Sequence, residues 1–420
     1  MKSFGAGNSI YEDIDVLEPD TETYRPDDMP EREQELNQLH TVLRPVTMEG
    51  TPKDVLVYGP TGQGKTVGVK IKTEQLDEWA NENDVDLTTC HVGCKGCDSS
   101  YHVLRLLVKK LREIRKGVQG EDKPDGYQRK DLLEMVLDEL ERIGGTVVLI
   151  LDEIDAIGED DYVLYELSRA NIEGVKLGLI GITNDLQFRN NLDADVRSSI
   201  GGREITFEPY NSNHLKDILA RRAVGALRDT YFDGESGSES LVSDVLEDGV
   251  IPLTAALAAR ETGDARQAIR LLSHACDLAD EQTDSVVTEE HVRSARDQLE
   301  RDALADGIRG ETTQRKLALL TVLQAHLEGE TPEGTTDLYQ RYQQYCESIE
   351  AETLVEHTFR LKLNDLSHAN LLEKTRTGRG RGSGMTNLYQ LAVGPEILVE
   401  NLAEDAHVAS IFNDFIFPIS

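Results

Sequence analysis

Between the apolar run DVLVY (54–58) and a long helical stretch, the chain reads GPTGQGKT over Gly59–Thr66. That run satisfies G-x4-G-K-[ST], a spacing that works only where a strand feeds directly into the N-terminus of a helix. There, backbone N–H groups and the positive end of the helix dipole converge on one point and favour phosphate. Gly62, Gln63 and Gly64 are expected to bring backbone N–H groups to the phosphates. Lys65 is placed to reach the β- and γ-phosphates and Thr66 to ligate magnesium, so the expected ligands are ATP or ADP with magnesium.

A second apolar strand, TVVLIL (146–151), ends in Asp152 and Glu153. In a parallel sheet both carboxylates would stand at the carboxyl edge, where ligands bind. Asp152 could hold magnesium and Glu153 could polarise an attacking water. A third, VKLGLIGIT (175–183), ends in Asn184, whose side chain either orients water and touches the γ-phosphate or simply caps a turn. With DLTTCHV (86–92) and EITF (204–207), these runs alternate with amphipathic segments, the pattern of a parallel sheet covered by helices.

Past Tyr210 the strand signal stops and apolar residues recur at helical spacing, as in GDARQAIRLLSHACDLAD. A third pattern begins near Glu311. Three helical segments (TTQRKLALLTVLQAHL, TTDLYQRYQQYCESI and VEHTFRLKLNDLSHANL) precede two short strands, LLEKT and TNLYQLAV, joined by the basic, Gly-rich RTGRGRGSGM. Three helices and a two-stranded wing make a winged helix-turn-helix. The expected organisation is an α/β P-loop core over 1–209, an all-helical lid over 210–306, a winged helix over 311–395 and a tail over 396–420.

Basic side chains concentrate in two parts of that last domain. Lys374, Arg376, Arg379 and Arg381 lie on the wing, where glycines let the loop follow a groove and arginine suits phosphate and the minor groove. On the third helix, Phe359, Leu363 and Leu366 form an apolar stripe that leaves Arg360, rather than Lys362, for the major groove. A further basic run, RLLVKKLREIRK (105–116), carries six basic residues and one acid.

These clusters stand out because the chain is otherwise acidic, with 78 acidic against 44 basic residues, 28 of them Arg and 16 Lys, and a net charge of -34. Such a surface repels itself and DNA until salt screens it, which fits a halophilic protein working near molar salt. No apolar leader or membrane-length run is visible, so a cytoplasmic protein without membrane contact is expected. Cys90, His91, Cys94 and Cys97 contain one Cys-x2-Cys pair, but no second pair follows, and neighbours on a strand face opposite ways. Small strand and loop residues are the expected reading there, rather than zinc ligands.

Taken in order, PEREQELNQLHTVLRP, GPTGQGKT, LDEID, GITND, VRSSIGGREITFEPY and GDARQA resemble the archaeal replication initiators related to origin recognition complex subunit one and cell division control protein six, in their haloarchaeal form. The resemblance spans nearly the whole chain and implies an AAA+ ATPase core. It implies that Arg266 senses the γ-phosphate from the lid and that Tyr210 and Arg222 contact nucleotide, the tyrosine offering a face to adenine. It places an initiator-specific helical insertion in or just after 105–116, and implies duplex origin DNA, the replicative helicase and other initiator copies as partners. Slow, switch-like ATP hydrolysis is expected. Two departures are visible: Glu31-Arg32-Glu33 replaces the family's His-Arg-Glu, and Ser199 stands where an arginine finger would be, with Arg197 the nearest substitute. The same motifs would serve an ATP-binding transcriptional regulator or a non-essential initiator paralogue.

Overall fold

The computed structural model describes residues 9–19, 29–120, 123–200, 203–378, 385–403 and 405–416. The chain divides into two compact units, Met1–Arg293 and Ser294–Ser420, so core and lid fall within a single unit.

The first unit opens, after an N-terminal segment, with helix α1 (Glu33–Leu43) and then alternates strand and helix. The order is β1 (Val55–Tyr58), α2 (Lys65–Glu82), β2 (Leu87–Gly93), α3 (Ser100–Lys116), α4 (Arg129–Ile143), β3 (Gly145–Asp152), α5 (Tyr162–Ser168) and β4 (Val175–Thr183). Two short helices, α6 (Phe188–Asn191) and α7 (Ala194–Ile200), precede β5 (Glu204–Thr206). The strands form one sheet in the order β2-β3-β4-β1-β5, every pair parallel. All five strands lie where the alternation of apolar runs predicts them. The interior of β3 is buried on both faces, from Val147 to Leu151, as expected of a parallel sheet between helical layers. Asp152 lies beside Ile182, and Thr183 beside Tyr58, so the register leaves the carboxyl ends of β3, β4 and β1 level.

The basic run 105–116 lies on α3, a core helix. Val103, Leu104, Leu107, Val108 and Leu111 are fully buried at helical spacing, and the helix packs on α4. Arg112 and Arg115 both reach the buried Glu139, Arg115 at 2.6 Å, and Arg105 pairs with Asp125 at 2.9 Å. Much of the charge on the helix is thus neutralised from within the fold.

The lid comprises α8 (Ser212–Ala226), β6 (Thr230–Phe232), β7 (Leu241–Ser243), α9 (Val250–Glu261), α10 (Ala265–Gln282) and the start of α11 (Glu289–Gly310). It is therefore not all-helical: β6 and β7 pair antiparallel, three residues each. Strands this short leave no readable period-2 pattern. The N-terminal segment, expected to belong with the core, packs instead on lid helices. Glu12 N–H donates to Ala226 O at 2.8 Å, and the Tyr11 hydroxyl donates to Asp277 Oδ1 at 2.7 Å.

In the second unit, α12 (Thr313–Leu327), β8 (Glu333–Gly334), α13 (Thr335–Ser348), α14 (Glu356–His368), β9 (Leu372–Gly378) and β10 (Met385–Leu391) make a winged helix with sheet order β8-β10-β9. The segment expected as a tail is not one. Helix α15 (Pro395–Leu402) and the turns beyond it place Leu398, Leu402, Val408, Ile411 and Phe412 in the same core as Leu317, Tyr342 and Phe359. Burying five large apolar side chains at roughly 1.5–3 kcal/mol each makes the segment part of the domain.

Candidate functional site

Level strand ends bring three sequence motifs to one place. Lys65, at the start of α2, is 5% exposed, and its Nζ donates to Asn184 Oδ1 at 2.8 Å, Gly59 O at 2.7 Å and Pro60 O at 2.6 Å. Thr66 Oγ1 donates to Asp152 Oδ2 at 2.9 Å. Burial lowers the Lys65 ammonium to about 8, against the opposing pull of Asp152 and Asp155. At Asp152 burial works the other way, but hydrogen bonds from His91 and Thr66 outweigh it and hold the carboxyl below its usual range. Glu153 begins the turn after β3 with φ 55°, a left-handed conformation that costs a non-glycine residue about 1–2 kcal/mol. Strain of this kind persists where the surroundings enforce it, often at functional sites.

A cavity of about 390 Å³ opens here, within the first unit, between the phosphate loop and the lid. Its wall includes Gly62, Lys65, Asp152, Glu153, Asn184 and Arg266. Gln63, Gly64, Thr66, Tyr210 and Arg222 also line it, so every nucleotide-site residue expected from sequence meets in one cavity.

Three of them are also held by partners within the protein. The Gln63 side chain is fully buried and turns to the core–lid junction. Its Oε1 accepts from Tyr210 N–H at 3.0 Å and from Arg32 Nη2 at 3.3 Å, so only its backbone is left to meet a ligand. The Tyr210 ring is 3% exposed, with the Arg32 guanidinium 3.9 Å from its centroid, so little of the ring is open to adenine. Arg222 donates through Nη1 to Val16 O at 2.6 Å, which ties it to the N-terminal segment.

Four further residues that the sequence reading does not assign to the nucleotide site join it. Arg32 is buried and joins Glu35, Gln63 and the Glu208 carbonyl. Glu31, the departure from the family pattern, pairs with Arg221 on α8 across the cavity. His91, expected from sequence as a strand residue rather than a zinc ligand, places Nε2 3.2 Å from Asp152 Oδ2. Asp264 caps α10 through Arg266 N–H at 2.7 Å and Gln267 N–H at 3.3 Å. Of these, only Asp264 has a legible signal, an Asp just ahead of a helical run. The cysteines of the 90–97 segment are buried in the core, where burial pushes the Cys90 thiol up to about 12. Arg197 lies on α7.

In the second unit, Phe359, Leu363 and Leu366 are buried, as the stripe predicts, and Arg360 is exposed on α14 while Lys362 is half-buried. Arg376 is exposed on β9 opposite Asn387. Lys374 is drawn back, its Nζ donating to Asn364 Oδ1 at 2.7 Å, and the Tyr389 hydroxyl donates to the same oxygen at 3.1 Å. The root of the wing is thereby fixed to α14. Arg379 and Arg381 lie outside the described residues. No helix among the described residues is long and apolar enough to cross a membrane.

A parallel sheet with its phosphate loop, paired carboxylates and polar sensor at one edge, a lid over that edge and a winged helix in the same chain define an AAA+ ATPase with a DNA-binding-type domain. Comparison with known proteins agrees segment by segment: an AAA domain matches 49–189, the Cdc6 AAA+ ATPase-type lid domain 237–297, and the CDC6 C-terminal winged helix domain 306–401. The chain belongs to the ORC1-type DNA replication proteins. It is 36% identical over 419 residues to ORC1-type DNA replication protein 1 of Haloarcula marismortui, covering 98% of this chain and 97% of that one. It is 35% identical to the ORC1-type DNA replication protein of Thermococcus onnurineus, covering 95% and 92%. The structure of the Aeropyrum pernix ORC1 protein in complex with DNA superposes with a TM-score of 0.76 at 32% identity, covering 96% of this chain and 99% of that one.

Proposed function

We propose that this protein is an ATP-controlled replication initiator that grips duplex origin DNA through its winged helix and helps recruit the replicative helicase. The observation that carries the proposal is end-to-end similarity to ORC1-type proteins, supported by a cavity lined with the phosphate-loop residues and by a winged-helix core in the same chain.

The cavity residues fit a magnesium nucleotide. Thr66 and Asp152 offer a hydroxyl and a carboxylate 2.9 Å apart, the hard oxygen donors magnesium prefers. When bound, the ion would neutralise phosphate charge during transfer. Lys65 would exchange its bonds to Gly59 O and Pro60 O for phosphate oxygens. Asn184, already at Lys65, would orient water or the γ-phosphate, and Glu153 would polarise the attacking water. Arg266, at the N-terminus of α10, would report the γ-phosphate to the lid. Without an arginine at position 199, hydrolysis would be slow and serve as a timer. Other copies of the chain are proposed as assembly partners.

On DNA, Arg360 would read a base edge while Arg376, with Arg379 and Arg381, would hold the backbone; a relative, the Aeropyrum pernix ORC1 protein, has been seen in complex with DNA. Fluorescence anisotropy with an origin-repeat duplex and a random duplex, in ATP and in ADP, tests the proposal. Preference for the origin repeat that changes with nucleotide is expected; equal affinity for both duplexes in both states would refute it.

A further inference from the structure

Two consecutive residues of the phosphate loop hold the lid directly. Gly62 O accepts from Ala265 N–H at 3.2 Å, at the N-terminus of α10. Gln63 Oε1 accepts from the backbone N–H of Tyr210, which begins the passage from sheet to lid. Tyr210 N–H also reaches Gly263 O at 3.1 Å, so the two grips fall on either side of one short junction. The loop is shaped for this proximity. At Gly62, with φ 75°, a Cβ would sit 1.7 Å from Asp264 Oδ1; at Gly64, with φ 81°, it would sit 2.5 Å from Met29 Cε and 2.9 Å from the Tyr210 hydroxyl.

Gln63 is the unusual member. A fully buried amide is tolerated only when its donor and acceptor both find partners. Its Nε2 donates to Thr61 O at 3.1 Å, and its Oε1 takes Tyr210 N–H and the Arg32 guanidinium. Those partners have other bonds. Tyr210 N–H keeps Gly263 O, and Arg32 keeps Glu208 O at 2.5 Å and Glu35 Oε1 at 2.9 Å. The fold therefore has a substitute for the main bonds Gln63 makes. What the side chain supplies is a link from the phosphate loop to the hinge that a shorter or apolar residue cannot make.

We infer that Gln63 is a positioning residue that couples the phosphate loop to the core–lid hinge, so that loop movement on nucleotide binding sets how closely Arg266 approaches the terminal phosphate. The inference rests on the nucleotide-switch reading and adds to it a specific mechanical connection. When the loop shifts to wrap phosphate, Oε1 moves with it and carries the Tyr210 amide. That motion turns the segment that ends at Gly263 and Asp264, from which Arg266 projects.

The test is a double-mutant cycle on Gln63→Met and Arg266→Ala, reading the affinity ratio of a non-hydrolysable ATP analogue to ADP by calorimetry. Methionine keeps the volume and removes the acceptor. In the Gln63 background, Arg266→Ala should lower the ratio about tenfold, a typical coupling between sites. In the Gln63→Met background the same change should lower it less than about twofold, while Gln63→Glu, which keeps both accepting bonds, should restore most of the difference. Equal losses in both backgrounds would overturn the role of Gln63 and leave the sensor reading intact. No loss in either would overturn the sensor reading and the inference with it. Should Gln63→Met fail to fold, hydrogen exchange of the Tyr210 amide in the wild-type protein decides. Protection that differs between the ATP-analogue and ADP complexes supports the coupling; identical protection refutes it.

Discussion

The Thr66 hydroxyl donates to Asp152 Oδ2 at 2.9 Å although 86 residues separate them in sequence, so the fold itself brings the two expected magnesium ligands together. Preorganisation of this kind lowers the reorganisation needed when a ligand arrives. It also separates binding from turnover. Lys65→Ala should abolish ATP binding, because phosphate charge is left uncompensated. Glu153→Gln should bind normally and stop turnover, because only water activation is removed. Calorimetry and a single-turnover assay check both; unchanged affinity in Lys65→Ala would remove the site assignment.

A Lys65 ammonium that burial lowers to about 8 makes nucleotide binding pH-dependent. Above that pH the buried amine is increasingly neutral, while bound phosphate needs it charged, so binding must draw a proton from solvent. Affinity should hold near pH 7 and fall by up to about tenfold per pH unit above about 8. Calorimetry across pH 7 to 9.5 in buffers of different ionisation enthalpy measures both the slope and the proton. A flat profile without proton uptake would contradict a depressed Lys65.

Winged-helix contacts should divide by chemistry. Arg360→Ala on α14 should narrow the gap between origin and random duplex by about 1–3 kcal/mol, the usual worth of a bidentate base contact. Arg376→Ala, or Arg379→Ala with Arg381→Ala, should weaken both duplexes alike and flatten the salt dependence by up to about 0.9 for each phosphate no longer neutralised. Anisotropy over a salt series separates the two patterns. Random-duplex binding by the wing variants equal to wild type across that series would mean that the wing is no grip.

Much of this arrangement is legible in the sequence because its signals are local. The five strands of the sheet, the phosphate loop at Gly59–Thr66 and the buried stripe of Phe359, Leu363 and Leu366 each follow from a period or a spacing. What is not legible depends on tertiary position. Nothing in the run containing Gln63 says that its amide turns inward to Tyr210, and nothing near Arg32 says that it covers that ring. The β6–β7 hairpin is too short to show alternation. The segment after Pro395 reads as a tail because its apolar residues, Leu398, Leu402 and Ile411, acquire meaning only against the helices they meet. Glu31 departs from the family pattern, yet its partner Arg221 lies 190 residues away, beyond the reach of any local pattern.

A surface with a net charge of -34 should make stability depend on salt. Desalting from molar concentration to about 0.1 M lengthens the Debye screening distance from about 3 Å to about 10 Å, so carboxylates repel over a longer range. The thermal midpoint should fall across that range. A midpoint that stays level or rises would show that the acidic surface is not an adaptation to salt.

Whether the protein marks origins is answered most directly by genome-wide chromatin immunoprecipitation of a tagged copy, aligned with marker-frequency profiles of replicating cells. A few sharp peaks coincident with replication-start maxima, absent in the Lys65→Ala strain, are expected. Enrichment dispersed over promoters, or peaks unrelated to those maxima, would contradict an initiator and favour an ATP-binding transcriptional regulator.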